Sequence, residues 1–309
     1  MADPLAFAGG LAATGFRALA LTGTVVAAGA VAFARLVAPR AGIAPAAEVP
    51  LARLGAAGAF LVAIGAPFRV WTQASAFALE PAETWSYVPR VLGTTWGVGA
   101  TAQTIAALAL AFGLRRAVRR AGSDAATGGP AGARRDVPGR ALTVAGTLGL
   151  IVTPAMMGHA IADERSTGLA VALDVTHVAA ASAWLGALVP LAMIARTGER
   201  AVTAALIRAF HRPAMVAAVA VVLTGVGTTL MRVPTLGDLL HSTYGAVLLV
   251  KVALVAMALG FGAMHYRSGE RAAASGAPVW RTLLAEVAVA AGIVLVTAVL
   301  TGTESRAGA

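Results

Sequence analysis

Residues 141–195 read ALTVAGTLGLIVTPAMMGHAIADERSTGLAVALDVTHVAAASAWLGALVPLAMIA, and the rest of the chain is organised around how this stretch is read. Two apolar runs, 141–161 and 169–195, flank a short connection that carries Asp163, Glu164 and Arg165. Each run is long enough to cross a bilayer, which takes about 20 mostly apolar residues. Met156, Met157, His159, Asp174 and His177 lie in or beside the connection. If both runs cross a membrane, these side chains gather near one surface.

The composition requires a membrane. The chain is 309 residues long, 58% hydrophobic and only 12% charged, with a mean hydropathy of +0.79. A water-soluble globule has too little interior to hide that much apolar surface. Six further spans are expected at 15–37, 51–72, 92–114, 213–231, 244–266 and 280–302, which with the opening pair makes eight. The fold class is therefore all-α, a polytopic integral membrane protein. Helices satisfy their backbone groups within one segment, and these segments lack the polar alternation of a barrel strand.

The net charge of +10 would suggest nucleic acid in a soluble protein, but here the arginines concentrate in connections between spans, so no nucleic-acid partner is expected. Arg35, Arg40 and Arg53 follow the first span, Arg115, Arg116, Arg119 and Arg120 the third, Arg196, Arg200, Arg208 and Arg212 the fifth, and Arg267, Arg271 and Arg281 the seventh. Arg134, Arg135 and Arg140 add to the third connection, while Arg17, Arg69, Arg90, Arg165, Arg232 and Arg306 belong to the opposite side. The positive-inside rule then places both termini outside. The N-terminal MADPLAFAGG lacks a basic region of the kind that precedes a cleaved signal, so the first span is expected to be retained. The expected organisation is an N-terminal membrane half at 1–114, an Arg/Gly/Pro-rich cytoplasmic linker at 115–140, a second membrane region at 141–302 and a short outer tail at 303–309.

The linker also divides an internal repeat. Leu92-Gly93-Thr94-Thr95-Trp96-Gly97 opens the third span much as Leu240-His241-Ser242-Thr243-Tyr244-Gly245 opens the seventh, with Gln103 and Lys251 each six residues past the glycine. Four crossings return a chain to its starting side, so two four-helix halves would be parallel repeats rather than inverted ones.

There is no cysteine, so metal chemistry must use His, Met and carboxylates. His159, His177 and His241 are expected on the outer side, and His211 and His265 on the inner side. Asp174 and His177 are three residues apart, hence on one helix face, where the carboxylate can orient the imidazole or act as a ligand itself. Met156 and His159 share that spacing. Imidazole suits copper and thioether selects Cu(I), so a His/Met/Asp mouth favours copper over magnesium or calcium, while zinc is served by His and Asp alone. The candidate metal residues are His159, His177, Asp174, His241 and Met156.

Plainer readings stand beside this one. A lone interfacial histidine is more often a hydrogen-bonded structural residue, and most methionines in apolar helices are packing. A carboxylate within a span is costly and points to function. Lys251 and Glu286, also within spans, are expected to pair with each other for structure, or else to snorkel or relay protons. No nucleotide loop, catalytic triad or metalloprotease motif is present, so no enzyme is expected.

Several motifs together resemble a family. Gly158-His159-Ala160, then Asp174 and His177 followed by AAASAWLGAL, then Ser242-Thr243-Tyr244-Gly245 leading to Lys251, and Glu286 in the last span are similar to the bacterial copper resistance D (CopD) membrane proteins. The resemblance covers 141–302 well and the first half more loosely. It implies a multi-pass bacterial inner-membrane protein that binds copper ion, as Cu(I) or Cu(II), and moves it across the membrane for uptake or resistance, with capture at His159, Asp174 and His177. It also implies a separate periplasmic CopC-like donor. Two other functions fit the same residues: a copper-insertion or oxidase-assembly factor, and a bis-histidine haem electron carrier.

Overall fold

The computed structural model describes residues 10–127, 136–157, 167–233 and 235–303. They form α1 (Gly10–Leu36), α2 (Ala44–Ser75), α3 (Thr84–Leu92), α4 (Thr95–Thr127), α5 (Val137–Met157), α6 (Thr167–Ala181), α7 (Ala187–Thr197), α8 (Arg200–Arg232), α9 (Leu236–His241), α10 (Thr243–Met264), α11 (Glu270–Ser275) and α12 (Val279–Leu300). A π-turn at Ser182–Gly186 joins α6 to α7, and another at His265–Gly269 joins α10 to α11. Eight helical stretches are long and apolar enough to cross a membrane: α1, α2, α4, α5, the α6–α7 run, α8, the α10–α11 run and α12. Among the described residues there is no strand.

Each of the eight expected spans has its helix, with shifted ends. α4 continues through Thr127, so the arginine-rich stretch expected to be linker from 115 is helical over its first part. Asp136 then receives Arg116 and Arg120, each at 3.2 Å, tying the start of α5 to the end of α4. The guanidinium of Arg116, through its hydrogen bond, holds the Asp136 carboxyl below its ordinary range. α8 begins at Arg200 rather than 213, because a basic helical turn keeps its apolar face buried while its charges stay at the surface. Thr203, Leu206, Ile207 and Phe210 are buried there, while Arg208 reaches Glu270 of α11 at 2.7 Å.

The exposed face of α8 carries Val216, Val219, Leu223, Val226 and Leu230, alternately three and four residues apart. That spacing is one helix stripe, and it suits lipid rather than water. α1, α2, α4 and α5 pack together in the first half, and α1 also packs on the Ser182–Gly186 turn, α7 and α12 of the second half. One close crossing is Gly29 of α1 against Gly186, where a Cβ added at Gly186 would stand 2.9 Å from the Val25 carbonyl carbon and 3.0 Å from Gly29 Cα. Without a hydrophobic driving force between helices in lipid, such close backbone approach is what holds spans together.

The two similar hexads open their helices in the same way. Thr94 Oγ1 accepts from Gly97 N at 3.1 Å, and Ser242 Oγ accepts from Gly245 N at 3.0 Å. At both glycines a Cβ would strike the preceding short helix, 2.6 Å from Leu92 Cα in one case and 2.6 Å from the Leu239 carbonyl carbon in the other. α3 and α9 thus fold back tightly on α4 and α10, which explains the glycine at each site.

Candidate functional site

α6 enters the bundle at Thr167 and carries Asp174 and His177, one turn apart, into its polar seam. Opposite them, α8 supplies Thr224 and Arg232, and α10 supplies Lys251. Arg232 Nη2 lies 3.4 Å from Asp174 Oδ2, with both side chains about a quarter exposed or less. Lys251 and Arg232 act electrostatically on both Asp174 and His177, so the four groups form one cluster. His177 Nδ1 lies 2.9 Å from Thr224 Oγ1. The Thr224 hydroxyl already donates to the carbonyl of Ala220 at 2.6 Å, so towards His177 it acts as acceptor. With the Thr224 hydrogen on Ala220, a proton on His177 Nδ1 completes this contact and leaves the Nε2 lone pair open to a metal, the arrangement that orients ligating histidines.

The other candidates fall differently. His159 lies outside the described residues, as do Asp163, Glu164 and Arg165. His241 is exposed at the last position of α9, and Met156 lies in α5 against Gly99 of α4. Among the described residues no three His, Asp or Glu side chains converge as a cage for a metal ion. The structure brings Asp174 and His177 together but closes no coordination sphere around them.

The expected pairing of Lys251 with Glu286 does not form. Lys251 lies about two turns into α10 and Glu286 about two turns into α12, and adjacent spans run in opposite directions, so the two stand towards opposite membrane faces. Glu286 is 2% exposed and instead meets His265, whose Nδ1 is 3.0 Å from Glu286 Oε2. His265 Nε2 is 2.9 Å from Thr282 Oγ1. These groups border a cavity of about 280 Å³ lined by Trp184, Leu188, Phe210, His211, Met215 and Tyr266 among others. Sequence reasoning noted both histidines and Glu286 separately but missed this pair. The usable signal was that a histidine near the end of one span and a carboxylate near the start of the next occur at similar depth.

The first half has a polar cluster of another kind. Arg69 donates to Gln103 Oε1 at 2.6 Å and to Met157 Sδ at 3.5 Å, and lies over Trp96. Gln103 occupies the position that Lys251 has in the second half, six residues past the helix-opening glycine.

Fold and site define a polytopic α-helical membrane protein with imidazole and carboxylate groups meeting at two separate places in the bundle. Residues 204–300, which span α8 to α12, match the family described as Copper resistance protein D (CopD). The chain is 28% identical over 162 residues to Copper transport protein CutJ of Bacillus subtilis, covering 51% of this chain and 29% of that protein. It is 29% identical over 184 residues to Copper resistance protein D of Pseudomonas syringae pv. tomato, covering 56% of this chain and 53% of that one. Over its second half the chain is thus similar to copper-related membrane proteins. The matched part spans about half or less of either relative's length. No solved structure matches. The family match takes in Thr224, Arg232, Lys251, His265 and Glu286 and leaves Asp174, His177 and His159 outside it.

Proposed function

We propose that this protein moves copper across a bacterial inner membrane, with both termini outside, and that capture begins at Asp174 and His177 on the periplasmic side. The observation that carries the reading is the cluster itself: a carboxylate and an imidazole one turn apart inside an apolar span, with Thr224 against the imidazole. The names of its two relatives supply the metal. His159, His241 or Met156 completes the ligand set as copper arrives, and a separate CopC-like protein is a suitable donor.

The resting cluster is not a cation trap. Asp174 brings one negative charge, while Arg232 and Lys251 bring two positive ones. Arg232 stands in for the metal at Asp174, and the 3.4 Å separation makes that pair loose enough to exchange. A transport site must release its cargo as well as bind it, and a competing internal cation lowers affinity in the way release requires. The 141–302 region carries this pathway, and the 1–114 half buttresses it through α1.

Whole-cell copper accumulation and copper binding by purified protein, compared between wild type and a His159→Ala/His177→Ala variant, test the reading. Both quantities should fall in the variant. If neither changes, the proposal fails.

A further inference from the structure

The cavity of about 280 Å³ is walled by two spans that are joined at one end only. α8 packs on α6, α7 and α11, α10 packs on α9 and α12, and the link between α8 and α10 runs through α11 and the His265–Gly269 π-turn. The floor of the cavity is Trp184, Leu188 and Leu191 of the fifth span and Leu283 of α12, all buried. α8 adds Ile207, Phe210, His211, Ala214, Met215 and Ala218, whose spacing of three and four is one helix face. His265 and Glu286 border the cavity too, but they face each other at 3.0 Å and leave its lining apolar. An apolar cavity stays free of water and takes up apolar molecules.

Its opening faces lipid. Met215 of α8, Leu259 of α10 and Tyr266 of the π-turn line the same cavity and are exposed, and on α8 the apolar stripe of Val219 and Leu223 continues from Met215. An occupant therefore enters sideways from the bilayer. Charge at the opening says which lipid it is. Arg212 stands three residues before Met215, on the same edge of α8, and Arg267 follows Tyr266. The rings of His211 and Tyr266, 5.2 Å apart, bring the neighbourhoods of the two arginines together. Both arginines are exposed, and among the described residues neither meets a carboxylate, whereas Arg208 is held by Glu270 at 2.7 Å. We propose that the cavity is a site for one anionic phospholipid, with an acyl chain between α8 and α10 and the phosphate at Arg212 and Arg267.

Chain and head group each have a physical reason to bind. The chain restores dispersion contacts that the facing walls of α8 and α10 otherwise lack, and such packing is what holds spans together in lipid. The guanidinium groups match phosphate in charge and geometry, and basic pockets between spans bind anionic head groups in this way. Room for the chain is visible at Gly262 of α10, which lines the cavity and where an added Cβ meets nothing within 4 Å. The site shares no residue with the Asp174/His177 cluster, so it stands independently of the copper reading.

Trp184 supplies the readout, because it lines the cavity and is 2% exposed, out of reach of bulk lipid. Full-length protein is placed in phosphatidylcholine vesicles holding a minor fraction of phosphatidylglycerol with brominated acyl chains, which quench tryptophan on contact. The Trp184 signal is the difference in emission between wild type and Trp184→Phe. It should be quenched by brominated phosphatidylglycerol at a lower fraction than by brominated phosphatidylcholine, by about fivefold for each arginine engaged. Gly262→Leu fills the cavity and should abolish the quenching. Arg212→Gln/Arg267→Gln should keep the quenching and lose the preference, and together with the wild-type comparison it decides the matter even if Gly262→Leu folds poorly. An unquenched Trp184, equal quenching of wild type by the two lipids, a preference that survives loss of both arginines, or full quenching in folded Gly262→Leu each overturns the proposal. So does native mass spectrometry that finds an apolar molecule other than a phospholipid held in its place.

Discussion

Substituting Gly186 by alanine tests whether backbone contact between α1 and the Ser182–Gly186 turn joins the two halves. The new methyl carbon would stand 2.9 Å from the Val25 carbonyl carbon and 3.0 Å from Gly29 Cα. Carbon atoms pack at about 3.5–4.0 Å, so the helices must part by about 0.5–1 Å. The obstructing atoms are backbone, so no rotamer change relieves the contact. Overpacking of this kind costs about 1–3 kcal/mol, and alanine's better helix propensity returns up to about 1 kcal/mol. A net loss of up to about 3 kcal/mol, centred at about 1.5 kcal/mol, follows from these two terms. Gly260 of α10 is the internal control, because a Cβ there meets nothing within 4 Å. Gly260→Ala should be neutral or stabilising by up to about 1 kcal/mol. Reversible unfolding in mixed detergent micelles measures both variants. If Gly186→Ala proves as stable as Gly260→Ala, close backbone approach is not what joins α1 to the fifth span, and the reasoning fails.

Three other outcomes follow from the site and its surroundings. Arg232→Gln removes the cation that competes for Asp174, so copper affinity should rise, by up to about fivefold for a partly solvated pair; a competitive chelator titration that finds weaker binding contradicts the placeholder role. Thr224→Val removes the acceptor beside His177 Nδ1, and affinity should fall by about 10- to 100-fold, as for other partners behind a metal ligand, in the same titration. At the α4–α5 junction, Asp136 has a carboxyl held below its ordinary range by Arg116, so its contribution is present above the unfolded carboxylate range and is lost as pH falls through the folded value. Asp136→Asn at neutral pH should therefore mimic acid, loosening the start of α5 as read by faster amide exchange at Gly139, which Asp136 Oδ1 accepts from at 3.2 Å. Equal exchange in the two proteins would mean that the junction is held by something else.

Much of this architecture was legible in the chain. Eight apolar runs of sufficient length specify eight spans, because lipid leaves the backbone no partner outside its own helix. The glycines at 97 and 245, each six residues before Gln103 or Lys251, announced two helices that open alike. The spacing of Asp174 and His177 put both on one face of one helix. Helix ends were harder to read, since the arginines of 115–120 and 200–212 look like loop by hydropathy and yet continue helices whose buried faces pack on neighbours.

What the sequence could not decide is which polar groups meet. Charge type suggested that Lys251 and Glu286 should pair, but their depths in antiparallel spans keep them apart, and each takes partners at its own membrane face. Nor did spacing disclose that Arg232 meets Asp174 or that Thr224 meets His177, because those contacts cross between helices far apart along the chain. Hydropathy and periodicity are properties of a single helix in lipid, so sequence alone determines the spans and the faces of this protein. The partners of a buried ionisable group are set by rotation and depth of one helix against another, and only the packed bundle decides those.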